Sequence, residues 1–185
     1  MIKNIALTTI TTLFLVGCGG GGDTGSGGSS PVVSNLGKYN LWEYVTPSTS
    51  NTNTFTLSSN SVESTYTSTY NVKSNRVEEI ADYAKDETTI YEKGADSILV
   101  KFEKAGKSNG TYTLKLTANI NDIVTQRKSE CRLTRHLDSF KIAEKTFQDV
   151  IEITCGTIPG YYQKGVGEIA QIEDSSGKNI RVLSN

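Results

Sequence analysis

The sequence predicts an all-β protein: a single domain of meandering, curved antiparallel sheet or partial barrel spanning residues 35–185. Three observations predict it. Apolar and polar residues alternate with period two in one segment after another, and no long stretch carries a sustained helical period. Threonine is abundant, tyrosine occurs nine times and proline only three times, a composition suited to a pleated, half-buried surface. Residues 35–185 have the length of one ordinary domain and can bury a real core. With 19 Lys and Arg against 20 Asp and Glu, the chain lacks the basic footprint of a nucleic-acid binder. It also lacks a polybasic patch for anionic lipid.

The chain opens with Met1-Ile2-Lys3-Asn4 and one positive charge, followed by an apolar run from Ile5 to Val16 diluted by Thr8, Thr9, Thr11 and Thr12. A basic start followed by a short apolar run reads as a signal peptide over residues 1–17. The run is too short and too polar for a bilayer-spanning helix, which needs roughly 20 apolar residues. It closes on Leu15-Val16-Gly17-Cys18, which resembles the lipobox of bacterial lipoproteins at every position. The resemblance implies a diacylglyceryl group on the Cys18 thiol, cleavage before Cys18 and acylation of the new amino terminus. Each buried CH₂ contributes about 0.8 kcal/mol, so two or three chains hold firmly where one holds marginally. The implied location is the bacterial cell envelope, with the membrane as partner through Cys18. Gly19, where inner-membrane lipoproteins usually carry aspartate, favours the outer membrane, with the domain facing the periplasm or the exterior. Residues 18–34, rich in glycine and serine, form a flexible tether with a mean reach of about 20 Å.

Within the domain, "LWEYVTP" (Leu41 to Pro47) reads as a strand with Trp42 and Tyr44 on one face. Its indole packs under the sheet or serves as an aromatic ligand platform. "SVESTYTSTYNV" puts Val62, Tyr66, Tyr70 and Val72 on one face, with Glu63, Thr65, Thr67, Thr69 and Asn71 on the other. "NRVEEIADYAKD" fits either a helix or a strand after a Ser74-Asn75 turn. Strand is preferred because every neighbour is strand and sequential pairing is the default connection. Ile98, Val100 and Phe102 point inward on the next strand, as do Tyr112, Leu114, Leu116, Ala118 and Ile120 on the one after it. Asn109-Gly110 between them predicts a type I′ hairpin turn, because both residues tolerate positive φ.

With Cys18 acylated, Cys131 and Cys155 remain, an even number in an oxidising compartment. Cys131, Leu133 and Leu137 share one strand face, and Ile151, Ile153 and Cys155 share another. Pairing about a bend at Ala143 sets Cys131 opposite Cys155 and Leu133 opposite Ile153, which favours a disulfide over two buried free thiols. Closing a loop of this size stabilises the fold by about 3 kcal/mol in the chain-entropy model. Two cysteines and one distant histidine do not supply a tetrahedral metal site.

Near the C terminus, Thr146, Phe147, Asp149, Val150 and Ile151 precede Tyr161, Tyr162, Lys164, Gly165, Val166 and Gly167. This resembles a segment of uncharacterised bacterial envelope lipoproteins, in which a "tF-dv-v" strand precedes a "yyakGvG" strand. The resemblance covers about a fifth of the chain and implies a strongly curved antiparallel meander, with no chemistry attached. Gly165 and Gly167 also have a local reading, since two missing side chains permit a sharp bend or a close backbone approach.

No constellation announces catalysis. His136, the only histidine, lies near Asp138 and Ser139, but on a strand Ser139 points away from the other two. His136 shares the polar face with Glu130, Arg132 and Thr134 and reads as a surface residue. No nucleophile elbow, phosphate loop, calcium loop or zinc helix motif is present, so no cofactor or metal is expected. The acidic run Glu78, Glu79, Asp82, Asp86 and Glu87 reads as a solvated face. Arg135 falls on the apolar face between Leu133 and Leu137. It meets an anionic ligand in a cavity, snorkels at a sheet edge, or marks a bulge that flips the register.

The expectation is a non-enzymatic, membrane-anchored envelope lipoprotein with a structural or interaction role towards another envelope protein. The alternative is a carrier for a lipid or other hydrophobic ligand, with Trp42, Tyr66, Tyr70 and Arg135 as candidate contacts. The first requires a sheet interior filled with side chains. The second requires an open apolar pocket of several hundred Å³.

Overall fold

The computed structural model describes residues 37–59, 62–126, 130–172 and 180–185. The expected signal peptide at 1–17 and the expected tether at 18–34, Cys18 included, lie outside the described residues. One twelve-stranded antiparallel sheet dominates the described chain. Its first half is a meander of β2 (Asn51–Ser59), β3 (Val62–Lys73), β4 (Arg76–Ala81), β5 (Glu87–Lys93), β6 (Ser97–Lys104) and β7 (Lys107–Lys115). The second half is a meander of β9 (Ile123–Gln126), β10 (Glu130–Ile142), β11 (Lys145–Cys155), β12 (Ile158–Gln163), β13 (Gly167–Ile172) and β14 (Ile180–Leu183). The last strand returns to the first, with Leu183 opposite Phe55 and Ile180 opposite Ser58. The two ends of the strand order, β7 and β9, lie alongside each other, so the sheet closes nearly into a barrel with its seam there.

At the seam the chain leaves the sheet. β8 (Thr117–Ala118) instead pairs with β1 (Tyr39–Asn40), setting Tyr39 opposite Ala118. This pair delivers α1 (Leu41–Val45), which packs against β8, β12 and β13. The expected strand through Trp42 is therefore a short helix. Leu41, Tyr44 and Val45, spaced i, i+3 and i+4, form its buried face, whereas a strand would have matched Trp42 with Tyr44. The helix stops before Pro47, and Thr46 is extended at φ −126° and ψ 144°, as the residue before proline prefers.

On β3, Tyr66 and Tyr70 turn inward as the alternation predicts, whereas Val62 at the start of the strand is 68 % exposed; the ambiguous 75–85 segment is strand β4 followed by a single 3₁₀ turn at Asp82–Ala84. Asn109-Gly110 does not make the hairpin turn. The chain reverses at Ala105-Gly106, with φ +50° and +74°, consecutive left-handed residues of the kind a type I′ turn requires. A register shift between Phe102 and Glu103 then places Asn109-Gly110 inside β7, where Gly110 has φ +148°. The bulge takes up the glycine that the turn was expected to use.

The pairing of β10 with β11 begins as expected, with Cys131 opposite Cys155 and Leu133 opposite Ile153, and the two cysteines form a disulfide. The register then slips by one residue between Leu133 and Arg135, so that Arg135 faces Glu152, His136 faces Ile151 and Leu137 faces Val150. A one-residue slip exchanges the two faces of a strand. Leu133 stays in the core cluster with Leu41, Tyr44, Val45, Ile98, Val100, Ile151 and Ile153. Leu137 joins a second cluster with Phe55, Phe147, Val150, Tyr161, Ile169 and Leu183.

Candidate functional site

The inner barrel wall encloses a cavity of about 340 Å³. β3 supplies Tyr66, Ser68 and Tyr70 to its lining; β4 and β5 supply Glu79, Thr89 and Tyr91; α1 supplies Val45. Tyr112, Tyr162, Glu168 and Arg181 reach it from β7, β12, β13 and β14, and Tyr83 stands at its edge, 71 % exposed. Six of the nine tyrosines of the chain thus line one space. The alternation of β3 explains the first two. Even-numbered residues from Val62 to Val72 point to one side, and the small side chain of Ser68 leaves room between the rings of Tyr66 and Tyr70.

The rings are braced by one another. Phe55 stacks on Tyr66 at 5.3 Å between centroids, Tyr66 meets Tyr83 edge-on at 4.9 Å, and Phe102 tilts against Tyr112 at 5.8 Å. The polar groups are sorted by charge. Arg181 pairs with Glu168 at 2.5 Å and also donates to Gln171. Glu79 is the cross-strand partner of Tyr70. Its Oε1 accepts the Tyr70 hydroxyl at 3.0 Å and its Oε2 accepts the Tyr91 hydroxyl at 3.3 Å. Burial pushes the hydroxyls of Tyr70 and Tyr91 well above the ordinary tyrosine value, with the charge of Glu79 adding to it. Burial raises Tyr162 likewise, helped by Glu168. All three stay protonated hydrogen-bond donors at neutral pH. The buried Thr125 hydroxyl, also on the lining, has no hydrogen-bond partner among the described residues.

The sequence-level candidates divide. Tyr66 and Tyr70 line the cavity, and so does the Cys131–Cys155 disulfide. Trp42 does not. It sits on α1 beside an open surface depression with Pro47, Val72 and Lys164, and Lys93 Nζ lies 5.9 Å from its ring centroid. Arg135 does not either, because the bulge turns it to the opposite face. There it donates from Nε and Nη2 to Glu152 at 2.8 and 2.5 Å, and Glu152, 5 % exposed, also accepts from Thr134. Of the three readings, Arg135 marks the bulge.

His136 is not a surface residue. The same slip brings it inward, to 12 % side-chain exposure, with its ring stacked on Tyr39 at 5.2 Å. Its Nε2 lies 2.8 Å from Asp149 Oδ1, and that oxygen also accepts the Tyr44 hydroxyl at 2.6 Å. Burial raises the Asp149 carboxyl, but the bonds from Tyr44 and His136 outweigh it and hold the group below the usual aspartate range. This network fastens α1 to β10 and β11. Asp138 lies 3.6 Å from His136 Nδ1, while Ser139 pairs with Gln148 at the exposed surface, so no Ser-His-Asp alignment forms.

The acidic run also splits. Glu78 pairs outside with Arg76 at 2.8 Å, Asp82 accepts from Thr67 at 2.9 Å, and Glu87 meets Lys104 at 2.8 Å. Glu79 alone of this run lines the main cavity, against the expectation of a solvated face. Its signal was available in the alternation of Val77 and Glu79, with Val77 fully buried. Among the described residues, no group of metal-ligating side chains gathers in numbers that hold an ion. No described helix is long and apolar enough to cross a membrane.

The fold and the cavity together define an all-β barrel with a polar, aromatic lumen. Comparison with family models, with curated proteins and with solved structures finds no match to this chain.

Proposed function

We propose that this chain is a ligand-binding lipoprotein of the cell envelope, moored through Cys18 and holding a small molecule in its barrel lumen. The observation that carries the reading is the 340 Å³ cavity walled by tyrosines, a volume at the lower end of small-molecule sites. A purely structural role calls for a filled interior, and the open volume supports the binding reading over it. The lining also bears on the kind of occupant. An acyl chain would take water from Glu79, Glu168 and Arg181 without offering them a hydrogen bond, and would leave the Thr125 hydroxyl unsatisfied at a cost of about 1–3 kcal/mol. A compact molecule with polar groups on an aromatic or apolar body matches better than a lipid tail. No catalytic step is assigned, because His136 is engaged with Asp149 in fastening α1.

Native mass spectrometry of the chain extracted from its own membranes tests this. The expected species starts at Cys18 with its acyl chains and carries a non-covalent small molecule that is lost from Thr89→Trp, a variant that fills the lumen. A polypeptide retaining residues 1–17 with an unmodified thiol would overturn the location. An adduct that survives Thr89→Trp would overturn the lumen as its site.

A further inference from the structure

We propose that the lumen takes an organic ammonium ion, a protonated amine on a small apolar or aromatic body, with Glu79 as its counter-charge and the rings of Tyr70 and Tyr91 beside it. The inference rests on the reading of the lumen as a binding site and names the class of its ligand. Charge is the first reason. The ionisable lining residues other than tyrosine are Glu79, Glu168 and Arg181, two carboxyl side chains against one guanidinium. The charge of Arg181 is paired with Glu168, and its Nη2 also donates to Gln171; no Lys, Arg or His among the described residues forms an ion pair with Glu79. An anion would therefore meet an engaged arginine and a like-charged carboxylate.

Geometry is the second reason. The two hydroxyls that Glu79 accepts hold its carboxylate in place, one on each oxygen. A carboxylate offers about four acceptor positions, so donors from a ligand find room on both oxygens. The walls are the third. Tyrosine faces attract cations by their ring quadrupole, more strongly as the cation is desolvated. Tyr70 and Tyr91 meet Glu79 through their hydroxyls, and their rings line the same space as those of Tyr112 and Tyr162. A carboxylate fixed by neutral phenols among aromatic rings is a receptor for a positive nitrogen.

The test is calorimetric titration of the full-length chain in detergent with three probes of one shape: benzylammonium, benzyl alcohol and benzoate. Benzylammonium is expected to bind at least about tenfold tighter than benzyl alcohol, equivalent to about 1.4 kcal/mol, with benzoate weakest. Glu79→Gln, which keeps the shape and an acceptor for Tyr70, should remove that preference. If benzyl alcohol or benzoate binds as tightly as benzylammonium, the cation assignment falls while the lumen stands as a binding site. The cation assignment falls equally if Glu79→Gln keeps the preference. Failure of all three probes to bind overturns both readings. The comparison of probes on the unsubstituted chain decides the question even if Glu79→Gln does not fold.

Discussion

Tyr70 and Glu79 are register partners on β3 and β4, and the phenol donates to the carboxylate at 3.0 Å inside the barrel. A cross-strand pair of this kind links fold to site. The bond that orients the carboxylate also ties two strands of the wall. Tyr70→Phe should therefore lower stability by about 1.5–3 kcal/mol, the usual contribution of a hydrogen bond to a charged group. Urea unfolding followed by circular dichroism measures it. An unchanged midpoint would mean that the Tyr70 hydroxyl contributes nothing to holding Glu79.

Reduction of the Cys131–Cys155 bond should destabilise the barrel by about 3 kcal/mol, the chain-entropy value for a loop of this length. The bond joins residues 24 apart at the end of the β10–β11 pair nearest the seam, and both sulfur-bearing residues line the cavity. Urea midpoints with and without dithiothreitol give the difference. The Cys131→Ala/Cys155→Ala variant should match the reduced protein and lose its sensitivity to reductant.

Asp149 makes stability depend on acid. Its folded pKa is depressed, so the unfolded state takes up its proton first. The stabilisation is fully present above the ordinary aspartate value, about pH 4, and is lost as pH falls through the lower folded value. Asp149→Asn should flatten that acid limb. Asparagine tolerates the left-handed backbone seen here at φ +52°, so the substitution isolates the charge. Urea midpoints across the acid range, compared for the two proteins, check it; parallel curves would mean that Asp149 plays no part in the acid limb.

Gly167→Ala should cost about 1–3 kcal/mol, the range for a residue held in a disfavoured backbone region. Gly167 has φ +92°, and an added Cβ would rest 3.5 Å from Pro47, an ordinary contact. The strain is conformational rather than a clash. The turn before it also receives α1, since Gly165 donates to the Glu43 carbonyl at 2.7 Å and Ser48 donates to the Gly165 carbonyl at 2.9 Å. Thermal unfolding of the variant, with exchange of the Gly165 amide as a local readout, follows both effects.

Much of this architecture is legible in the residue pattern. The alternation of Tyr66, Ser68 and Tyr70 marks an inner face, and the symmetry about Ala143 sets Cys131 against Cys155. The departures come where one residue changes the count. The extra residue between Leu133 and Arg135 exchanges the faces of β10, so Arg135 goes out and His136 comes in. The one signal in that stretch is Arg135, a charged residue at a position that strict alternation assigns to the apolar face, and a bulge is only one of its three readings. The bulge near Asn109 moves the hairpin turn to Ala105-Gly106 in the same way. The five residues of α1 are too few for helical periodicity to outweigh alternation, and their helical form depends on docking between β8 and β12–β13. The cavity itself depends on which strand meets which across the barrel. That is set by closure of the sheet, which no local window contains.

Ring-resolved NMR of the tyrosines during titration with benzylammonium tests the open lumen most directly. Tyr66, Tyr70, Tyr91, Tyr112 and Tyr162 are expected to shift together, because all five line the cavity. Tyr39 and Tyr44, held in the His136–Asp149 network, and Tyr161, stacked on Phe140 away from the cavity, should stay in place. Shifts confined to Tyr39, Tyr44 or Tyr161, or lumen tyrosines that never respond, would contradict an open, cation-binding lumen.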